Sequence, residues 1–267
     1  MTDPAAPTAP RLAPDGSPYP DRARPTFERE VRAMFTHIAH QYDWFNHVAT
    51  LGQDLVWRPR ALWAVDRFRV GRPLRWALDV GCGTGDLALL TTRHAPASRA
   101  VGIDFTGAMV VRATARARRL GASSKVQFGR ATGLALPFRS GSFDLVMSAF
   151  VARNLSDLPK ALREFRRVLV PGGTLLTLET TEPPSAVVRS MFHAYFDHVV
   201  PWLGAAVKSA GPFRYLPESL RRLPSRERML ELMRDAGFPR VDGVRQSQGI
   251  VTSFLGEAGA AAPASMD

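Results

Sequence analysis

Cysteine is almost missing from this chain. Cys82 is the only one in 267 residues, which excludes an internal disulfide, a cysteine-based metal cluster and a cysteine nucleophile backed by a second thiol. A reducing compartment, the cytoplasm, fits that count. Lysine is nearly as scarce. Only Lys125, Lys160 and Lys208 occur, so arginine carries the net charge of +11. Such a bias fits a GC-rich genome or attraction to an anionic surface, nucleic acid or membrane. The arginines are scattered, with short runs at 116–119 and 221–228, and no long basic block or interleaved aromatic pattern points to nucleic acid. Long hydrophobic runs are absent too. The longest apolar stretch, Ala186 to Val207, is broken by Arg189, His193, Asp197, His198 and Pro201, so it predicts no transmembrane helix. The first 25 residues hold seven of the 21 prolines and lack the apolar core of a signal peptide. They are expected to be disordered, as is the Ala/Gly-rich tail 256–267. Between them, residues 26–255 form one domain, since an apolar content of 45% supports a substantial core.

What the chain does have is a glycine turn. Leu78-Asp79-Val80-Gly81-Cys82-Gly83-Thr84-Gly85-Asp86 follows a short apolar run and precedes a helix-like run from Leu87 to Thr92. Strand, glycine turn and helix are how an open α/β sheet builds a nucleotide site. The third glycine falls one residue earlier than in the phosphate-binding dinucleotide fingerprint. Asp79 and Asp86 flank the turn, and carboxylates there would repel a pyrophosphate. They suit a cationic ligand, and S-adenosylmethionine, with its sulfonium and ammonium, is the expected methyl donor. Asp79, Gly81, Gly83, Thr84 and Gly85 are the candidate contacts. Cys82 in this turn reads as a small residue under the ligand. A second acid, Asp104, ends the run Val101-Gly102-Ile103 at about the 20-residue distance at which a strand-end carboxylate accepts ribose hydroxyls. Dehydrogenases and methyltransferases both use such an acid.

The pattern along the chain predicts a doubly wound, Rossmann-like α/β sheet. Val31, Met34, Phe35, Ile38, Tyr42 and Phe45 recur at helical spacing and predict one amphipathic helix before the sheet. A second helix carries Trp57, Leu62, Trp63 and Val65 and is expected to break near Pro59. Strands are expected at 76–80, 101–104, 126–128, 143–148 and 174–179. Helices are expected at 105–120 and from Ser156 to the Pro171-Gly172-Gly173 turn. A long insertion, 183–224, follows strand five. A helix over 225–236 and two strands near 241–246 and 250–255 close the domain, the last two as an antiparallel edge.

Several stretches carry a closer likeness. Met34-Phe35-Thr36-His37-Ile38-Ala39-His40-Gln41-Tyr42-Asp43, Leu51-Gly52-Gln53-Asp54 with Trp57-Arg58, Ala149-Phe150-Val151-Ala152-Arg153-Asn154, Lys160-Ala161-Leu162-Arg163-Glu164, Arg167 to Gly173, Tyr215-Leu216-Pro217-Glu218-Ser219 and Gly249-Ile250-Val251 resemble the UbiE/MenG C-methyltransferases of menaquinone and ubiquinone synthesis. The likeness runs from about Thr26 to Leu255. It departs at Val151, where the family has glycine, and at Thr132, where it has an acid or amide. Ser209-Ala210-Gly211-Pro212 lacks the usual acid, and Thr252-Ser253-Phe254 replaces the usual ending.

The resemblance implies methyl transfer from S-adenosylmethionine to a ring carbon of a demethylated prenyl quinol, 2-demethylmenaquinol or a ubiquinone-pathway benzoquinol, without a metal. It places Thr132, Gly133 and Ala149 on the donor and Tyr42 in the acceptor pocket. It links Arg153 to removal of the ring proton. A guanidinium with a pKa above about 12 is a poor base, so Arg153 is read as orienting a water or holding the phenolate oxygen, with Asn154 positioning the quinol. His193 and His198 stay outside the catalytic set. Met191, Phe192, Tyr195, Phe196, Trp202 and Leu203 in the 183–224 insertion would line a channel for the isoprenoid tail. With Arg221 and Arg222 they would form a surface for transient membrane contact. A homodimer stays open. An RNA methyltransferase is the rival reading of the charge. It lacks the Asn/Asp-Pro-Pro-aromatic turn of amino-group enzymes, where this chain has Ala149-Phe150-Val151, and it lacks a cysteine nucleophile. A dinucleotide-sensing domain would leave the Arg153-Asn154 pair unexplained.

Overall fold

The computed structural model describes residues 26–40, 42–69, 71–96, 98–200, 219–220 and 222–259. The expected disordered start, Trp202, Leu203, Tyr215 to Glu218 and Arg221 lie outside them. So does the side chain of Tyr42.

Seven strands form one sheet: β1 (Trp76–Val80), β2 (Arg99–Asp104), β3 (Val126–Arg130), β4 (Phe143–Ala149), β5 (Leu169–Thr180), β6 (Arg240–Gln246) and β7 (Val251–Glu257). Their order is β3-β2-β1-β4-β5-β7-β6. The first five are parallel, and β7 runs antiparallel to both β5 and β6. The order reverses between β1 and β4, which puts a crevice at the carboxyl ends of the central strands. The strands are apolar because helices cover both faces. On one face, α6 (Leu158–Val168) buries Leu162, Phe165 and Val168 against Leu78, Val146 and Leu175. On the other, α3 (Asp54–Phe68) and α4 (Asp86–His94) bury Leu62, Val65 and Leu87 against Ala77, Leu145 and Leu176. Each such leucine or phenylalanine contributes about 1.5–3 kcal/mol by leaving water.

Four expectations need correction. The N-terminal amphipathic run is two helices, α1 (Phe27–Ile38) and α2 (Tyr42–Ala49), separated by a turn at Ala39 and His40. Pro59 does not break α3. Near the helix start it removes one amide, a local cost that the buried face of α3 outweighs. Asp157, not Ser156, caps α6, its Oδ1 accepting the Lys160 N–H at 2.8 Å. The Pro171-Gly172-Gly173 segment does not simply follow α6 as a turn; it belongs to β5, with the Gly172 N–H bonded to the Ala258 carbonyl at 2.8 Å. The last of these also corrects the loose tail at its start. Gly256 and Glu257 are in β7, and Gly256 is closely packed, since a Cβ there would lie 2.8 Å from Met233 Cε and 3.0 Å from the Phe238 ring. Two further helices are α7 (Ala186–Ala194), continued by a π-type turn over Tyr195–Val199, and α8 (Arg226–Asp235), capped by Ser225.

Candidate active site

Beyond β1 the chain turns through Gly81, Gly83 and Gly85 at φ of +70°, +53° and +88°. Residues with a Cβ resist that conformation. The Gly81 and Cys82 amides both donate to the Ile103 carbonyl, at 2.8 and 2.9 Å. The Gly83 N–H donates to Asp104 Oδ2 at 3.0 Å and the Thr106 N–H to Asp104 Oδ1 at 2.8 Å. Asp104 therefore ties the glycine loop to the tip of β2. Burial pushes its carboxyl up, and the two amides oppose that shift. Burial also pushes the Cys82 thiol well up, so it is a poor nucleophile.

Neither flanking acid lines the ligand space. Asp79 is buried beneath the loop, where its Oδ2 accepts the Ala88 N–H at 3.0 Å in the first turn of α4. That bond satisfies an amide with no partner inside the helix. Burial raises the Asp79 pKa to about 7, against the opposing pull of the Ala88 amide and Arg58. Asp86 pairs with Arg116 and, at 3.7 Å, with Arg58. Thr84 Oγ1 donates to Asp43 Oδ1 at 2.6 Å and so pins the loop to α2.

A cavity opens at the carboxyl ends of β1, β2 and β4. Of the residues expected at the donor, Gly81, Gly83, Asp104, Thr132, Gly133 and Ala149 line it, and so does Asn154. Asp79, Thr84, Gly85 and Arg153 do not. Arg153 and Asn154 share a 3-10 turn, Ala152–Asn154, in which successive side chains diverge by about 120°. Arg153 is buried, and its Nε has no hydrogen-bond partner among the described residues. Thr132 Oγ1 accepts the Leu134 N–H at 3.3 Å.

Other residues at the site were not anticipated. Glu28 and Phe35 bring α1 to the cavity, and Ser156 Oγ donates to Glu28 Oε1 at 2.7 Å. Phe150 lines the cavity at φ +60°, a strained backbone for a phenylalanine. Glu179 is buried at the end of β5, and its Oε1 accepts the Val151 and Ala152 amides at 2.9 and 2.8 Å. It fixes the chain that presents Asn154. An acid closing an apolar strand was a usable signal for Glu179; nothing in the sequence marks the backbone of Phe150. Val151 packs on the glycine loop, where a Cβ at Gly81 would come within 2.5 Å of its methyl group.

The 183–224 insertion carries a separate cavity, where Phe192 and Phe196 face Pro183, Leu220 and Leu223. Met191 is exposed, and His193 Nε2 lies 3.2 Å from Glu182.

Residues 24–257 match the model of the ubiE/COQ5 methyltransferase family. The chain is 43% identical over 206 residues to the demethylmenaquinone methyltransferase of Thermus thermophilus, covering 77% of this chain and 91% of the relative. It is 40% identical to the protein of that name from Deinococcus radiodurans, over 78% of this chain and 84% of the relative. A Geobacter sulfurreducens protein named ubiquinone/menaquinone biosynthesis C-methyltransferase UbiE is 36% identical, over 86% and 88%. Among solved structures, a Thermotoga maritima S-adenosylmethionine-dependent methyltransferase aligns with a TM-score of 0.55 at 18% identity, over 85% of this chain and 98% of its own. The [4+2]-cyclase SpnF aligns with a TM-score of 0.63 at 20% identity, over 87% and 97%. At those identities the likeness is one of fold alone.

Proposed function

This chain belongs to the ubiE/COQ5 methyltransferase family, and from that membership we propose that it converts 2-demethylmenaquinol to menaquinol by methylating a ring carbon. It is an S-adenosylmethionine-dependent methyltransferase. The bound donor supplies an electrophilic methyl on a sulfonium. The chain's own residues bind and align the partners and keep water out. Asp104 has one oxygen on Gly83 and one on Thr106, and the remaining lone pair of each suits a ribose hydroxyl. Gly81 and Gly83 let the backbone approach the ligand, and Phe105, Met109 and Leu134 offer the apolar surface an adenine needs. Thr132 and Gly133 stand at its edge. Asp79 and Thr84 shape the loop from beneath and from the side rather than touch the ligand.

On the acceptor side, the Asn154 amide holds a quinol hydroxyl, and the family likeness assigns Tyr42 to the acceptor as well. Arg153, buried beside Asn154 in the same 3-10 turn, would reach the developing phenolate oxygen, or the water that takes the ring proton, by turning its guanidinium into the cavity. Its own pKa excludes direct abstraction. The observation that carries the reading is that Asp104, at the end of β2, and Asn154, in the turn after β4, line one cavity from either side of β1. A benzoquinol acceptor is the second reading, supported by the likeness to the Geobacter sulfurreducens protein. Mass analysis of quinones from a strain lacking the gene tests both. A naphthoquinone lighter by one methyl is expected. A light benzoquinone would favour the second reading, and unchanged quinones would overturn both.

No helix among the described residues is long and apolar enough to cross a membrane. A prenyl tail keeps the acceptor in the bilayer, so the protein would meet it by transient contact at the cytoplasmic surface.

A further inference from the structure

The turn between α2 and α3 holds apolar side chains out in solvent. Leu51 is 73% exposed and Leu55 61%, and Trp44 and Val56 beside them are exposed as well. Leu51 also adopts φ +52°, where glycine would be easier. The turn is fixed there, the Gly52 N–H bonded to the His47 carbonyl at 2.7 Å and the Gln53 N–H to the Thr50 carbonyl at 3.1 Å. No carboxylate is exposed between residues 44 and 60. Asp54, the only acid in that stretch, is buried and held by His47 Nδ1 at 2.8 Å, Thr50 Oγ1 at 3.0 Å and Arg58 Nη1 at 3.1 Å. Arg60 is the exposed charge.

We propose that the α2–α3 turn is the element that enters the bilayer, with Leu51 and Leu55 in the apolar boundary of an anionic leaflet. Charge selects this occupant. A chain of net charge +11 is attracted to an anionic surface and repels a second copy of itself. Exposure agrees, because side chains that stand out in solvent suit a fluid that closes around them. The turn also leads to the site. Trp57 and Phe150 rings lie 6.0 Å apart, the Arg58 guanidinium stands over the same Phe150, and Phe150 lines the cavity. Beyond the turn, Tyr195 bonds the Ala49 carbonyl at 3.3 Å, which sets the exposed Val187 and Met191 of α7 on a neighbouring element.

The inference gives the quinol reading its route from the membrane, but its test uses neither quinol nor donor, so the two fail separately. The full chain is sedimented with phosphatidylglycerol-containing vesicles and with pure phosphatidylcholine vesicles. Binding to the first, weakened in the second, is expected. Leu51→Gly relaxes the backbone and removes the side chain, so it should melt no lower than the wild type and bind roughly tenfold more weakly. Leu51→Asp with Leu55→Asp should abolish binding. Wild-type protein that ignores vesicles, or variants that bind as it does, would overturn the proposal. So would a wild-type dimer that the double aspartate variant splits, since a second copy would then be the occupant.

Discussion

Asp104 accepts two backbone amides, and the proposed ribose contact would be its second job. Replacing it by alanine frees the Gly83 amide and removes the ribose acceptor. Charge-assisted bonds of this kind contribute about 1.5–3 kcal/mol. Titration calorimetry with adenosylhomocysteine should show Asp104→Ala binding roughly 10-fold to 150-fold more weakly. A folded variant with wild-type affinity would remove Asp104 from the donor site. At this scale the sequence was readable where spacing carries the information. The distance from glycine turn to strand-end acid located Asp104, and the glycines located the loop. Spacing does not say which way a side chain faces. Asp79 and Asp86 stand beside the turn in sequence, but one caps α4 from below and the other pairs with Arg116 and Arg58. Glu28 and Phe35 reach the cavity only because α1 folds over it, a tertiary fact with no local trace.

Among the elements, the 3-10 turn after β4 places two neighbours in different surroundings. Asn154 faces the cavity and Arg153 does not line it. On the role proposed for it, Arg153→Ala should leave donor affinity within about twofold and lower turnover on a demethylquinol by about 100-fold, in the range of a lost transition-state contact. Steady-state kinetics beside donor titration separates the two effects, and a variant that turns over at the wild-type rate would sink the role. The β1–α4 and β2–α5 units, with α5 at Gly107–Arg119, are local in sequence, and their order was legible from alternating apolar runs and turns. The errors fall where a distant partner decides. Pro171-Gly172-Gly173 looks like a helix stop, yet Gly172 and Gly173 pair with Ala258. Gly256 looks like loose tail, yet it packs under Met233 and Phe238. The break between α1 and α2 carries no glycine or proline to announce it.

For the molecule as a whole, stability should depend on pH through Asp79. Its carboxyl is near 7 when folded and near 3.8 otherwise, chiefly through burial. The folded state then binds more protons than the unfolded state between those values. This contribution is complete below pH 3.8 and is lost as pH rises through 7. Asp104, also raised by burial, adds a term of the same sign. Thermal melting from pH 5 to 8 should show the wild type losing stability, by a few kcal/mol at most from this source. Asp79→Asn should flatten that slope, and an unchanged slope would contradict the assignment. The position of β7 bears on how the protein is made. It comes last in the order of strands yet sits inside the sheet, between β5 and β6. On the ribosome, β5 therefore waits with one edge unpaired until residues 251–257 emerge, and β6, though already synthesised, has no neighbour to join. A nascent chain stalled just short of Val251 would carry the whole glycine loop and most of the core, but with a long apolar edge open to its neighbours on the polysome.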